Sequence, residues 1–192
     1  MQIKLYDFRL VKYITIVNHS LPFTEIPEME RGRLNGGSVA LNNTTLWITG
    51  GIITTNSPWQ CTNTTEFLKF NHSKFTPGPI LPIGCIQQHC MIKLNESMIF
   101  IAGGYSARNK TYLVDISKDF TFIEGPLLKI GRHDLTCGTF RFNNKTIVIV
   151  SGGIDNNRQI PVNSTELWDP TTQDGWVEGK IICVPIKENI NF

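Results

Sequence analysis

The 192-residue sequence predicts an all-β fold assembled from repeated four-stranded antiparallel sheets. Three observations carry that expectation. Short apolar or alternating runs end in Gly-Gly three times, at Gly50-Gly51, Gly103-Gly104 and Gly152-Gly153, with intervals of 53 and 49 residues. Two strand-like runs precede each anchor and two follow it, the spacing expected of one sheet per unit. Asn, Gly and Pro separate the runs, as hairpin turns require.

The elements follow in the same order in every unit. The first two strands read SVAL-NNT-TLWIT, CMIKL-NES-MIFIA and TFRF-NNKT-IVIVS, each pair joined by a polar hairpin. The second strand, as in IFIA at 99–102, is nearly all apolar, which suits a strand covered on both faces. The glycines then mark a close backbone approach or a positive φ. Loops of unequal length follow, at 52–62, 105–109 and 154–162. Third strands begin in TTEFLKF, KTYLVDI and STELWDP, with Thr65, Thr111 and Thr165 in register. A fourth strand is expected around Phe75, Phe122 and Trp176.

This pattern resembles the kelch family, whose repeat runs from an Arg-led turn through an apolar strand to Gly-Gly, then to an EVYDP-like strand, a Trp and a Pro-rich turn. Arg33 and Arg132, the three Gly pairs, Glu166-Leu167-Trp168-Asp169-Pro170 and Trp176 match it. Cys85 stands for the turn Arg in the second unit, Lys69-Phe70 replaces Asp-Pro in the first, and Asp115-Ile116 keeps only the Asp. The resemblance implies a kelch-type β-propeller, here incomplete at about 3.5 four-stranded blades, against the roughly four to eight that close a ring. Its boundaries are a partial blade over 1–30, blades over 31–83, 84–130 and 131–180, and a further start or tail over 181–192. In the first of these, YITIVNHSLPFTEIPEMERGR reads as the last two strands of a preceding blade, with Phe23 at the Trp position and Pro27 and Met29 in the turn. The resemblance also makes Arg33 and Arg132 structural, bonding carbonyls of a neighbouring repeat.

Composition excludes some functions. Hydrophobic content is 41% and net charge +2 with charges dispersed, so no basic footprint for nucleic acid exists. Apolar runs such as 99–102 and 147–150 fall far short of the roughly 20 residues of a membrane span. Lys4, Asp7, Arg9 and Lys12 interrupt any secretory h-region, leaving a cytosolic protein or an incomplete chain as the expectation. No GxSxG, HExxH or phosphate loop occurs, and none of the four tyrosines adjoins a Cys or His, so no catalysis and no cofactor are expected. A propeller enzyme of oxidase or sugar-isomerase type is the remote alternative.

Nine Asn-x-Ser/Thr sequons occur, at Asn18, Asn42, Asn43, Asn63, Asn71, Asn95, Asn109, Asn144 and Asn163. Asn43, Asn95 and Asn144 fall in the first hairpin of each unit, and Asn63, Asn109 and Asn163 lead into the third strand. They read either as glycan acceptors of a secreted protein or as turn residues copied with the repeat. Cys61, Cys85, Cys90 and Cys137 are disulfide candidates whose pairing sequence leaves open, with Cys183 left over. Cys90 and Cys137 read as repeat-equivalent. A metal set of Cys85, His89, Cys90, His133 and Cys137 is the lesser reading, because its spacing is not a usual zinc spacing; inert buried thiols are another.

The function expected is protein–protein interaction, with no nucleic acid and no membrane insertion. Trp59, Tyr105 and Arg158, on loops after Gly-Gly, are the contact residues expected by type. A secreted, extracellular glycoprotein fragment is the first reading. The alternative is a cytoplasmic adaptor that recognises substrates for a BTB- or F-box-type ubiquitin ligase. Self-association through exposed blade faces is a further expectation.

Overall fold

The computed structural model describes residues 3–5, 14–16, 29–53, 60–69, 72, 74–172 and 174–179. Its backbone is all-β, and the described residues contain one short 3-10 turn, Ile116–Lys118. Three four-stranded antiparallel sheets follow one another along the chain. Sheet I comprises Gly37–Asn42, Thr45–Thr49, Thr65–Lys69 and Thr76–Pro77. Sheet II comprises Cys90–Lys93, Met98–Ala102, Thr111–Asp115 and Thr121–Glu124. Sheet III comprises Thr136–Phe142, Lys145–Ser151, Thr165–Trp168 and Val177–Gly179. Strand order within each sheet is sequential, so every connection is a hairpin or a loop at one end.

Register is shared as well as order. Thr49, Ala102 and Ser151, each just before Gly-Gly, pair with Gly37, Cys90 and Thr136 on the first strand. On the other side they pair with Thr65, Thr111 and Thr165. The glycine pairs all adopt positive φ, between 59° and 108°. They are required for contact too: a Cβ on Gly50 would stand 2.2 Å from the Ile86 carbonyl oxygen and one on Gly103 2.6 Å from that of Arg132. The first two anchors therefore close against the turn that leads into the next sheet, whereas a Cβ on Gly152 would meet only the Val162 carbonyl oxygen, at 4.0 Å.

That register corrects two assignments made from sequence. Asn35, Gln88 and Asp134 share a left-handed φ of 57°, 55° and 54°, and two residues before each stand Arg33, Ile86 and Arg132. Ile86, not Cys85, occupies the arginine position of the second unit. Likewise Cys90 shares its register with Gly37 and Thr136, and Cys137 lies one residue further along, so the two cysteines are not repeat-equivalent.

Alternation explains the packing. In the second strand of sheet II, Ile99 and Ile101 point one way and Phe100 and Ala102 the other. The first pair packs with Trp47 of sheet I; the second packs with Val148, Val150, Trp168 and Trp176 of sheet III. All of these residues except Trp168 and Trp176, at 5% and 4%, are fully buried. Sheet II is thus sandwiched, which is why its second strand carries no polar residue. The first strands of neighbouring sheets come within 8 Å of each other, Cα to Cα.

Phe75, Phe122 and Trp176 each stand three residues before a glycine, at Gly78, Gly125 and Gly179. Trp176 stacks at 5.7 Å from both Phe100 and Trp168 and donates its indole N–H to the Pro126 carbonyl at 2.9 Å. The far face of sheet III has no such cover among the described residues: Phe140, Phe142 and Val177 are 41%, 61% and 60% exposed. At the other end, Ile14–Ile16 pairs with Ile3–Leu5, a strand that the sequence reading lacked. Phe23 and Pro27 lie outside the described residues, whereas Met29 packs against Leu46, Leu68 and Phe75.

Candidate functional site

Antiparallel topology gives the array two unlike ends. One carries the hairpins between first and second strands; the other carries the Gly-Gly turns, the variable loops and the turns leading into each sheet. The loop end is built on two buried ion pairs. Arg33 donates to Glu66 Oε1 through Nη2 at 2.7 Å and through Nε at 3.1 Å, and to the Gly50 and Thr64 carbonyls through Nη1 at 3.0 and 2.9 Å. Arg132 repeats this with Glu166 at 2.7 Å and the Gly152 and Ser164 carbonyls at 3.1 and 3.0 Å. The second carboxylate oxygen accepts the N–H of Glu30 in the first case and of Lys129 in the second. These arginines bond carbonyls of their own repeat, not of a neighbour. Each ties three backbone segments together at the point where the loops leave.

Sheet II lacks the pair, and both members change together. Ile86 takes the arginine position and Tyr112 the glutamate position, and both enter the apolar cluster between sheets I and II. Burial, followed by the charge of Glu124 opposite, raises the Tyr112 phenol above its ordinary range. Leaving either charge alone there would cost several kcal/mol, so the paired replacement is the physically consistent one.

The loops of sheets II and III lie against each other at this end. Asn156 Nδ2 donates to the Tyr105 carbonyl at 3.2 Å and stands 3.3 Å from His133 Nδ1. Tyr105 is half exposed, with its ring edge-on to His133 at 5.3 Å. Arg158 reaches into solvent, its Nε 4.0 Å from Asp155 Oδ2, which also accepts backbone N–H bonds from Asn157 and Arg158 through Oδ1. Those backbone bonds, followed by the arginine charges, hold the Asp155 carboxyl below its ordinary range. Two of the three expected contact residues thus share one surface, alongside exposed Ile160. Trp59 and Pro58 lie outside the described residues.

Cys61 is bonded to Cys85, and Cys90 to Cys137, with Cα separations of 5.4 and 5.9 Å. The first bond joins a loop of sheet I to the turn entering sheet II; the second joins the first strands of sheets II and III. The one-residue offset makes the second bond possible, because Cys90 faces sheet III and Cys137 faces back toward sheet II. Residues in equal register would point the same way and never meet. His89 is buried, 2.9 Å from Thr49 Oγ1 through Nε2, and its burial lowers its pKa to about 4. Among the described residues no group of three or more His, Cys, Asp or Glu is placed to hold a metal ion.

The sequons divide by structural role. Asn42, Asn43, Asn95 and Asn144 are exposed at the hairpin end, while Asn63 and Asn109 are half-buried at the loop end and Asn163 is exposed there. Asn18 and Asn71 lie outside the described residues. Asn42, rather than Asn43, is the equivalent of Asn95: the Oδ1 of each accepts both the N–H and the hydroxyl of the residue two further on. The sequence reading had Glu166 only as part of the repeat motif and missed Glu66 and both ion pairs, although a signal was there, since Thr-Glu recurs wherever the turn carries Arg and is replaced where it does not.

No protein-family model matches the chain, and no curated protein matches it.

Proposed function

We propose that the chain is part of a kelch-type β-propeller that works as a protein-binding module, non-enzymatic and exposed to an oxidising compartment. The observation that carries this reading is the common register of three sequential four-stranded sheets, each anchored by Gly-Gly and packed on the next through its first strand. Such packing suits blades fanned around an axis. Support for binding over catalysis comes from the loop end, where a rigid frame of buried ion pairs presents Tyr105, Arg158 and Ile160 to solvent. Aromatic and arginine side chains held on a stiff support are the usual anchors of an interface. Two disulfides favour a secreted protein over the cytoplasmic adaptor, in which thiols stay reduced.

The test is a pull-down from extracellular fluid with the full chain, followed by alanine variants of Trp59, Tyr105 and Arg158. At least one is expected to weaken binding of the recovered partner by about tenfold or more, the weight of a single anchor. Unchanged binding in all three would remove the partner from this end.

A further inference from the structure

The hairpin end carries a second kind of feature, which rests on the secretory reading above. We infer that Asn42 and Asn95 carry N-linked glycans, and that Asn63 and Asn109 do not. In both Asn42-Asn43-Thr44 and Asn95-Glu96-Ser97 the Asn oxygen is held by the third residue, at 2.9 Å from its N–H and at 3.0 or 3.2 Å from its hydroxyl. The turn is local, three residues long, so the nascent chain forms it without the rest of the fold. Both residues are exposed after folding, and Oδ1, not Nδ2, is the atom that the fold engages. Nδ2 is the nucleophile in this chemistry. Its bond to the anomeric carbon of a polyprenyl-diphosphate-linked oligosaccharide forms as the carbon–oxygen bond to the diphosphate breaks. The diphosphate leaves with that electron pair, the amide proton goes to a base of the transferase, and nothing is oxidised or reduced.

At the loop end two of the three triplets, those of Asn63 and Asn109, serve the fold instead. The hydroxyls of Thr65 and Thr111 donate to the Pro79 and Pro126 carbonyls, each at 2.8 Å. Asn63 and Asn109 accept the N–H of Leu81 and Leu128 on their own carbonyls, and Asn109 Nδ2 donates to the Leu128 carbonyl at 3.5 Å. A glycan on Asn109 would displace the segment that seats Leu128 between sheets II and III. Asn144 is exposed, but its Thr146 pairs with Arg141 in the ladder and no bond returns to the Asn, so it is assigned no glycan. Sugars would then crowd the hairpin end and stay off Asn63 and Asn109 at the loop end.

The experiment is peptide mapping after glycosidase release in heavy-oxygen water, which converts each occupied Asn to a labelled Asp. It is run on native material and on the full chain routed through the secretory pathway by a fused leader. Labels at Asn42 and Asn95, lost in Asn42→Gln and Asn95→Gln but kept in Asn43→Gln, are expected. Labels at Asn63 or Asn109, or labels at neither Asn42 nor Asn95 in the routed chain, would overturn the assignment. Unlabelled native material beside a routed chain labelled at both sites would sustain the assignment and defeat the secretory reading.

Discussion

Arg132 is fully buried, and its guanidinium is satisfied by the carbonyls of Ile130, Gly152 and Ser164 and by the Glu166 carboxylate. Removing one partner strands the other, so Arg132→Ile or Glu166→Tyr alone is expected to cost about 3–5 kcal/mol in denaturant unfolding. The double variant Arg132→Ile with Glu166→Tyr copies the pair that sheet II uses at Ile86 and Tyr112, and should recover most of that loss. A double variant no better than the worse single would show that the two stations are not interchangeable. His89 makes a pH prediction. Burial holds its pKa near 4 in the folded protein against 6.5 for the free side chain. Between those values the unfolded chain takes up a proton that the folded one refuses, so stability falls as pH drops from 6.5 towards 4, by up to about 3 kcal/mol. His89→Leu, the residue found at the equivalent position 135, should flatten that part of the pH–stability curve.

At the scale of elements, the strands and their hairpins were legible in sequence because apolar runs and turn residues are local signals. The Gly-Gly pairs were legible for the same reason. What sequence hid was register to a single residue: Cys85 lies beside Ile86 in the chain, and only the left-handed Gln88 shows which of the two stands where Arg33 does. Cys90 and Cys137 looked equivalent because both open a first strand, and a one-residue offset is invisible without the ladder. In the fold, that offset turns one thiol toward the other. Their bond spans 47 residues and Cys61–Cys85 spans 24, for which chain-entropy arguments give about 4 and about 3.5 kcal/mol. Replacing Cys90 and Cys137 together by Ala should lower unfolding stability by an amount of that order. Trp47 offers a gentler test: its buried Nε1 has no partner and Phe100 stands at its register in sheet II, so Trp47→Phe should cost clearly less than the roughly 3–5 kcal/mol expected of Trp47→Ala in the same denaturant unfolding.

For the whole molecule, the candidate site was only partly legible. Tyr105 and Arg158 were found by residue type and do share a surface, but the ion pairs that stiffen it bring together residues about 33 positions apart, a distance over which no local pattern reports. The exposed far face of sheet III follows from the repeat itself, because Phe140, Ile149 and Leu167 occupy positions that are covered in sheets I and II. Among the described residues nothing covers this face, so the 21.7 kDa chain taken by itself is expected to pair through it and elute from size exclusion above its monomer mass, and Phe142→Lys with Val177→Lys should return it to monomer. Elution of the unaltered chain as a compact monomer would count against self-association through that face. Sequential sheets stapled to their neighbours in an oxidising compartment are tested by non-reducing peptide mapping of native protein. Linked peptides Cys61–Cys85 and Cys90–Cys137 are expected; four free thiols, or a pairing that crosses these two, would rule such stapling out.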